Sequence, residues 1–133
     1  MFNDTVTIYN KVYDKSVGYD KYIRTVIKGV HFEERKGANV IKSGMEQADG
    51  VFIAIPYSAP QKVFLDAKAY ERANNKAEFF TLRSGDLVVH GECEKDIDSL
   101  KEFQKAQEYY TITSVDFYGF GSPKMQHWEV GAK

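Results

Sequence analysis

A chain of 133 residues with 43% apolar and 14% aromatic side chains has material for one core and no room for a second full domain. Eighteen Lys and Arg against nineteen Asp and Glu leave a net charge of −1, which offers no positive field for nucleic acid and disfavours a dedicated DNA binder. A single cysteine, Cys93, excludes an internal disulfide and a Cys-based zinc cluster; no apolar run approaches the ~20 residues that span a bilayer, and Met1-Phe-Asn-Asp4 lacks a signal peptide's basic flank, so a soluble, cytoplasmically made protein is expected.

In chain order, Thr5 to Tyr13 alternates Val6, Ile8 and Val12 with Tyr9 and Tyr13, which predicts a strand with apolar residues on both faces. Asp14 to Gly18 predicts a turn, and Tyr22 to Phe32 returns as the second strand of a hairpin. Residues 33–50 are polar and punctuated by Gly37, Gly44 and Gly50, predicting a mobile loop or arm with room for a short strand around Ala38 to Ile41. Arg35, Lys36, Asn39, Lys42 and Met45 are its candidate contact residues, with the solvated face of a loop as the plain alternative.

Val51 to Ile55 predicts a short buried strand stopped by Pro56. Ser58-Ala-Pro-Gln61 has capping-box spacing, and Val63, Ala67 and Tyr70 then fall on one helical face, although Val63-Phe-Leu65 also fits extended chain. Phe79 to Leu82, the turn Arg83 to Asp86, and Leu87 to His90 predict a second hairpin. A surface helix is expected between Glu92 and Glu108, with Ser99 as its cap and Leu100, Phe103 and Ala106 at helical spacing. Tyr110 to Phe117 and Gln126 to Val130 read as strands around the turn cluster Gly119 to Pro123. Together these elements predict a mainly β (α+β) single domain, a small antiparallel barrel or sandwich of about six strands with one or two short helices and a long loop.

Chemistry is thinly represented. His31, His90 and His127 lie on separate strands without zincin spacing, so any metal site or small ligand-binding barrel enzyme would have to assemble them in space. His90-Gly-Glu92 matches the first half of a zinc deaminase signature, but the required Cys pair is missing. Cys93 sits between two acids and lacks the electropositive surroundings of a catalytic thiolate. No Gly-x-Ser-x-Gly or Walker A pattern occurs, and Gly119-Phe-Gly121 lacks the third glycine of a dinucleotide site. No enzyme, metal or cofactor is expected. Trp128 is a candidate interface anchor or a core residue.

Several stretches taken together carry a resemblance: Asp4-Thr-Val-Thr-Ile-Tyr-Asn10, Lys28-Gly-Val-His-Phe32, Lys36-Gly-Ala-Asn-Val-Ile-Lys-Ser-Gly44, Ile53-Ala-Ile-Pro56, Ser84-Gly-Asp-Leu-Val-Val-His-Gly-Glu92, Thr111-Ile-Thr-Ser-Val-Asp116 and Gly121-Ser-Pro-Lys-Met-Gln-His-Trp-Glu-Val-Gly131. They resemble an uncharacterised family of phage and prophage structural-region proteins from Gram-positive hosts. The layout is similar to that of head-closure, or stopper, proteins, from which the acidic stretch Glu92 to Glu108 departs. The resemblance implies a non-enzymatic virion component at the head-tail connection, with a minor capsid protein or a phage-encoded host-binding regulator as alternatives. Its implied partners are copies of itself, the connector or portal-side ring and tail proteins, with incidental DNA contact and no membrane. The implied location is the virion.

Overall fold

Val6 and Ile8 alternate with Thr7 and Tyr9, a rhythm of β-branched and aromatic side chains that favours extended chain. In the computed structural model, which describes residues 2–35 and 50–133, this stretch lies in strand β1, Asp4–Asp14. The turn that follows has Gly18 at φ 77°, open to glycine without strain. The Asp14 carboxylate accepts the Ser16 N–H at 2.9 Å and hydroxyl at 2.6 Å and pairs with Lys21 at 3.0 Å. Ser16 and then Lys21 hold its pKa down to about 2.

Strand β2, Tyr19–Arg35, pairs with β1 as far as Lys28 opposite Thr5 and then Val30 opposite Asp4, leaving Gly29 as a bulge at φ 82°. Beyond that bend β2 changes partner and pairs with β3, Gly50–Pro56, through His31 opposite Ala54 to Arg35 opposite Gly50. At the ends of the segment expected as a polar arm over 33–50, Glu33 to Arg35 and Gly50 continue a ladder instead. Lys36, Asn39, Lys42, Met45 and the strand expected near Ala38 lie outside the described residues.

Chain 57–82 crosses one end of the molecule. It carries β4, Val63–Phe64, helix α1, Ala67–Arg72, a short 3-10 turn and β5, Phe79–Phe80, which pairs with β4 in parallel. Two expectations are corrected here. Ser58 does not start the helix; Val63 and Phe64 are extended, and Asp66 caps α1 by accepting the Ala69 N–H at 2.9 Å. The hairpin expected between Phe79–Leu82 and Leu87–His90 does not form either. The Asn10 side chain binds both the Thr81 N–H, at 3.2 Å, and its carbonyl, at 2.8 Å, and this grip draws the chain away from its neighbour.

Strand β6, Leu87–His90, inserts between β1 and β7, Tyr110–Tyr118. Before β7 comes helix α2, Leu100–Ala106, with Ser99 Oγ accepting the Glu102 N–H at 3.4 Å as its spacing predicts. Strand β8, His127–Ala132, lies between β7 and β3 and closes a six-stranded antiparallel barrel in the order β1-β2-β3-β8-β7-β6. The fold is mainly β, as expected.

The inner phase of every strand fills the barrel: Val6, Ile8, Ile27, Ile53, Ile55, Val88, Ile112 and Val130 are almost fully buried. Each such side chain contributes roughly 1.5–3 kcal/mol by leaving water. The outer phase of β1 and β6 is also apolar. Tyr9, Leu87 and Val89 are covered by residues 93–109, where Cys93, Ile97 and Phe103 form a second core.

Candidate interaction surface

Register places several turns at one end of the barrel. β1 runs antiparallel to β6 with Tyr9 opposite Leu87, and β7 runs antiparallel to β6 with Thr111 opposite Leu87. The later residues of β1 and β7 thus both run past the start of β6, flanking the Arg83 to Asp86 turn. Pro56 pairs with His127, which brings chain 57–82 to the same end.

Two ribbons project there. The β1-β2 tip exposes Tyr13, Val17 and Tyr19; the β7-β8 hairpin exposes Phe117, Tyr118, Phe120 and Met125. Tyr57, beside Phe117, and Val63 are exposed on chain 57–82 at the same end. Among the described residues, Phe2 and Leu100 are the exposed large apolar side chains that lie elsewhere. Phe120 is 80% exposed, between Gly119 and Gly121, where no strand can bury it. That placement of an aromatic inside a turn cluster was its sequence signal, and composition alone passes over it.

Beneath these residues is an apolar recess of about 220 Å³ lined by Tyr57, Pro60, Lys62, Val63, Phe64, Phe80 and Trp128. Trp128 is 3% exposed and is the floor of this recess rather than a free anchor. Its indole packs within 4.9 Å of the Phe64 centroid, 5.2 Å of Tyr57 and 5.5 Å of Phe117. Lys62 Nζ is held inward, donating to the Arg24 carbonyl at 3.1 Å and Thr25 Oγ1 at 2.9 Å; burial, then Arg24, lowers its pKa.

Polar contacts brace both ribbons. Asp86, 2% exposed, accepts from Asn10 Nδ2 at 2.8 Å, the Lys11 N–H at 3.2 Å and Arg83 Nε at 2.9 Å. Arg83 also donates to the Lys11 carbonyl at 2.7 Å and lies over the Tyr70 ring. Burial pushes the Tyr70 phenol up to about 12. On the other ribbon, His127 Nδ1 sits 2.9 Å from the Met125 carbonyl and Nε2 3.0 Å from Glu129, with Tyr118 stacked on the ring. Both neighbours are acceptors, so the imidazolium with two N–H groups suits them best; Met125 first, then Glu129, raise its pKa.

The three histidines do not converge. His90 stacks on Phe32 and lies 3.7 Å from Asp4, while His31 faces Glu33 at 3.3 Å. Asp4 is held below the usual carboxylate range mainly by the Phe32 N–H, with the nearby histidines adding to it against burial. Among the described residues no group of three or more His, Cys, Asp and Glu is placed to hold a metal ion. Cys93 is buried, with its sulfur 3.1 Å from the Tyr9 hydroxyl, which also donates to the Lys95 carbonyl at 2.6 Å. Arg35 ends β2, apart from the exposed aromatics.

Comparison with known proteins finds no curated protein and no solved structure that matches. From residue 1 to residue 133 the sequence matches a family of unknown function, DUF6751, and the chain belongs to that family.

Proposed function

We propose that this chain is a non-enzymatic phage virion component at the head-tail connection, of head-closure or tail-completion type, that works by ring assembly and protein contacts. One observation carries the reading: among the described residues most of the large exposed apolar side chains stand at one end of the barrel, on two ribbons braced from within and on chain 57–82 beside them. An apolar patch rimmed by polar residues is what a protein-docking face requires, and aromatic tips give large contact area at low entropy cost. Three of the buried polar residues, Asn10, Asp86 and Thr81, bond one another and hold the β1 ribbon. A net charge of −1 also suits a subunit that lets DNA pass without holding it.

The partners on this reading are copies of the chain, a portal-side ring and tail proteins. Mass spectrometry of purified particles tests it, together with particles made without the protein. Its presence in particles, with DNA packaged but leaking when it is missing, is the expected result. Absence from particles defeats the reading and favours a host-binding regulator; presence with no leakage favours a minor capsid station.

A further inference from the structure

We propose that the outer edge of β7 from Ser114 to Tyr118 is a strand-addition site, which takes an extended segment of another protein carrying a Lys or Arg beside Asp116. The proposal rests on the reading that the chain works by protein contact.

β6 pairs with β7 only through Leu87 opposite Thr111 and Val88 opposite Tyr110. The Ile112 N–H then donates to the Asp86 carbonyl, and the Ile112 carbonyl accepts from the Gly85 N–H, both at 2.8 Å. From there β7 continues to Tyr118 with β8 on one side and no strand among the described residues on the other. In an antiparallel ribbon, alternate N–H and C=O groups point away from the partner. Over Ser114 to Tyr118 those groups face outward as a template.

Edges of this kind are usually blunted by proline, lysine or a covering element, because they recruit other chains. Ser114-Val-Asp-Phe-Tyr118 has neither proline nor lysine. Its one charge has no cation of its own among the described residues, since His127 on the same face pairs with Glu129. Asp116 stands in register opposite Glu129, so two carboxylates share a face. Glu129 has His127 at 3.0 Å, whereas Asp116 makes no hydrogen bond or ion pair among the described residues. A cation on an added strand supplies what Asp116 lacks. A second copy of β7 would instead bring another Asp116 into the same field. On the opposite face Phe117 leans on Tyr57 and Trp128, so the added segment presents an apolar side chain there. Cations on one face and apolar residues on the other define the occupant.

The test uses two short blocked peptides, Thr-Val-Lys-Val-Lys-Val-Thr and its counterpart with both Lys replaced by Glu, added to the isotope-labelled full chain. The lysine peptide is expected to slow amide exchange from Ser114 to Tyr118 and to bind roughly tenfold more tightly than the glutamate peptide. Asp116→Lys is expected to reverse the preference. Equal affinity for both peptides, unchanged amides along β7, or a free chain that is already dimeric with these amides protected would each overturn the proposal, the last by assigning the edge to a second copy. Absence of the protein from virions defeats the proposed function and leaves the peptide result standing; loss of charge selectivity defeats the strand-addition site alone.

Discussion

Asp86 Oδ1 accepts the backbone N–H of Lys11 at 3.2 Å, just past the last ladder pair between β1 and β6. A side chain here continues the work of a strand. At the other end of β6, Thr7 does the same, its hydroxyl donating to the Gly91 carbonyl and accepting the Cys93 N–H. A four-residue strand is thus held between two longer neighbours.

Asp86→Ala removes the carboxylate that three donors share, stranding the Lys11 N–H and leaving Asn10 Nδ2 and Arg83 with only the Thr81 and Lys11 carbonyls. Breaking a buried charged network of this kind costs about 3–5 kcal/mol, which lowers the melting temperature by roughly 10 °C or more. Thermal unfolding followed by circular dichroism measures it, and a loss under about 1 kcal/mol would show that the network does not brace the β1 ribbon.

At the barrel corner, Gly29→Ala is expected to cost roughly 1–2 kcal/mol. Space is not the reason, since an added Cβ would come no closer than 4.0 Å to the Phe2 carbonyl. The cost lies in φ 82°, which lets β2 leave β1 for β3. Urea denaturation of this variant beside Gly18→Ala, also at positive φ but at an exposed tip, separates a corner effect from a general one.

His127 is expected to make stability fall as pH rises. Its folded pKa lies above the ordinary 6.5, so the charged ring's contribution is complete below that value and disappears as pH climbs through the raised folded value. Denaturant midpoints measured from about pH 5 to pH 9 should decline for the native chain and lose that part of the slope in His127→Gln. A titration of the ring below the ordinary value would contradict the assignment.

Trp128→Ala and Phe120→Ala separate core from contact. The first opens the recess floor and is expected to cost about 3–5 kcal/mol. The second lies at an 80% exposed tip and should change stability by no more than about 0.5 kcal/mol. On the proposed function, Phe120→Ala nevertheless weakens incorporation into particles, which quantitative mass spectrometry reads directly.

Legibility in the sequence followed the range of the forces involved. The β1-β2 hairpin, β3, β7, β8 and α2 were readable because alternation, Gly18 and Ser99 act on near neighbours. In chain 57–82 the helix at Ala67 and Tyr70 and the extended alternative at Val63 and Phe64 were readable, but the Ser58 cap and the Phe79 hairpin fail, because Thr81 is held by Asn10, 71 positions earlier. Among the candidate contact residues, Trp128 was recognised as ambiguous and proved to be the recess floor. The exposed Phe120 lies inside the turn cluster Gly119 to Pro123 and Met125 just beyond it, where the local pattern states a turn and nothing more. Whether an aromatic is covered depends on which strands arrive nearby, and no local pattern states that.

Cys93, the chain's one sulfhydryl, is buried between Tyr9 of the barrel wall and Phe103 of the segment that covers it. The flap over it, residues 93–109, is tied down chiefly by Ile97, Phe103 and the Tyr9 phenol. Burial at 5% exposure shields the sulfur from an alkylating reagent while that segment stays packed. The molecule thus carries its own stopwatch: modification kinetics would time the flap's breathing separately from the melting of the staves beneath it.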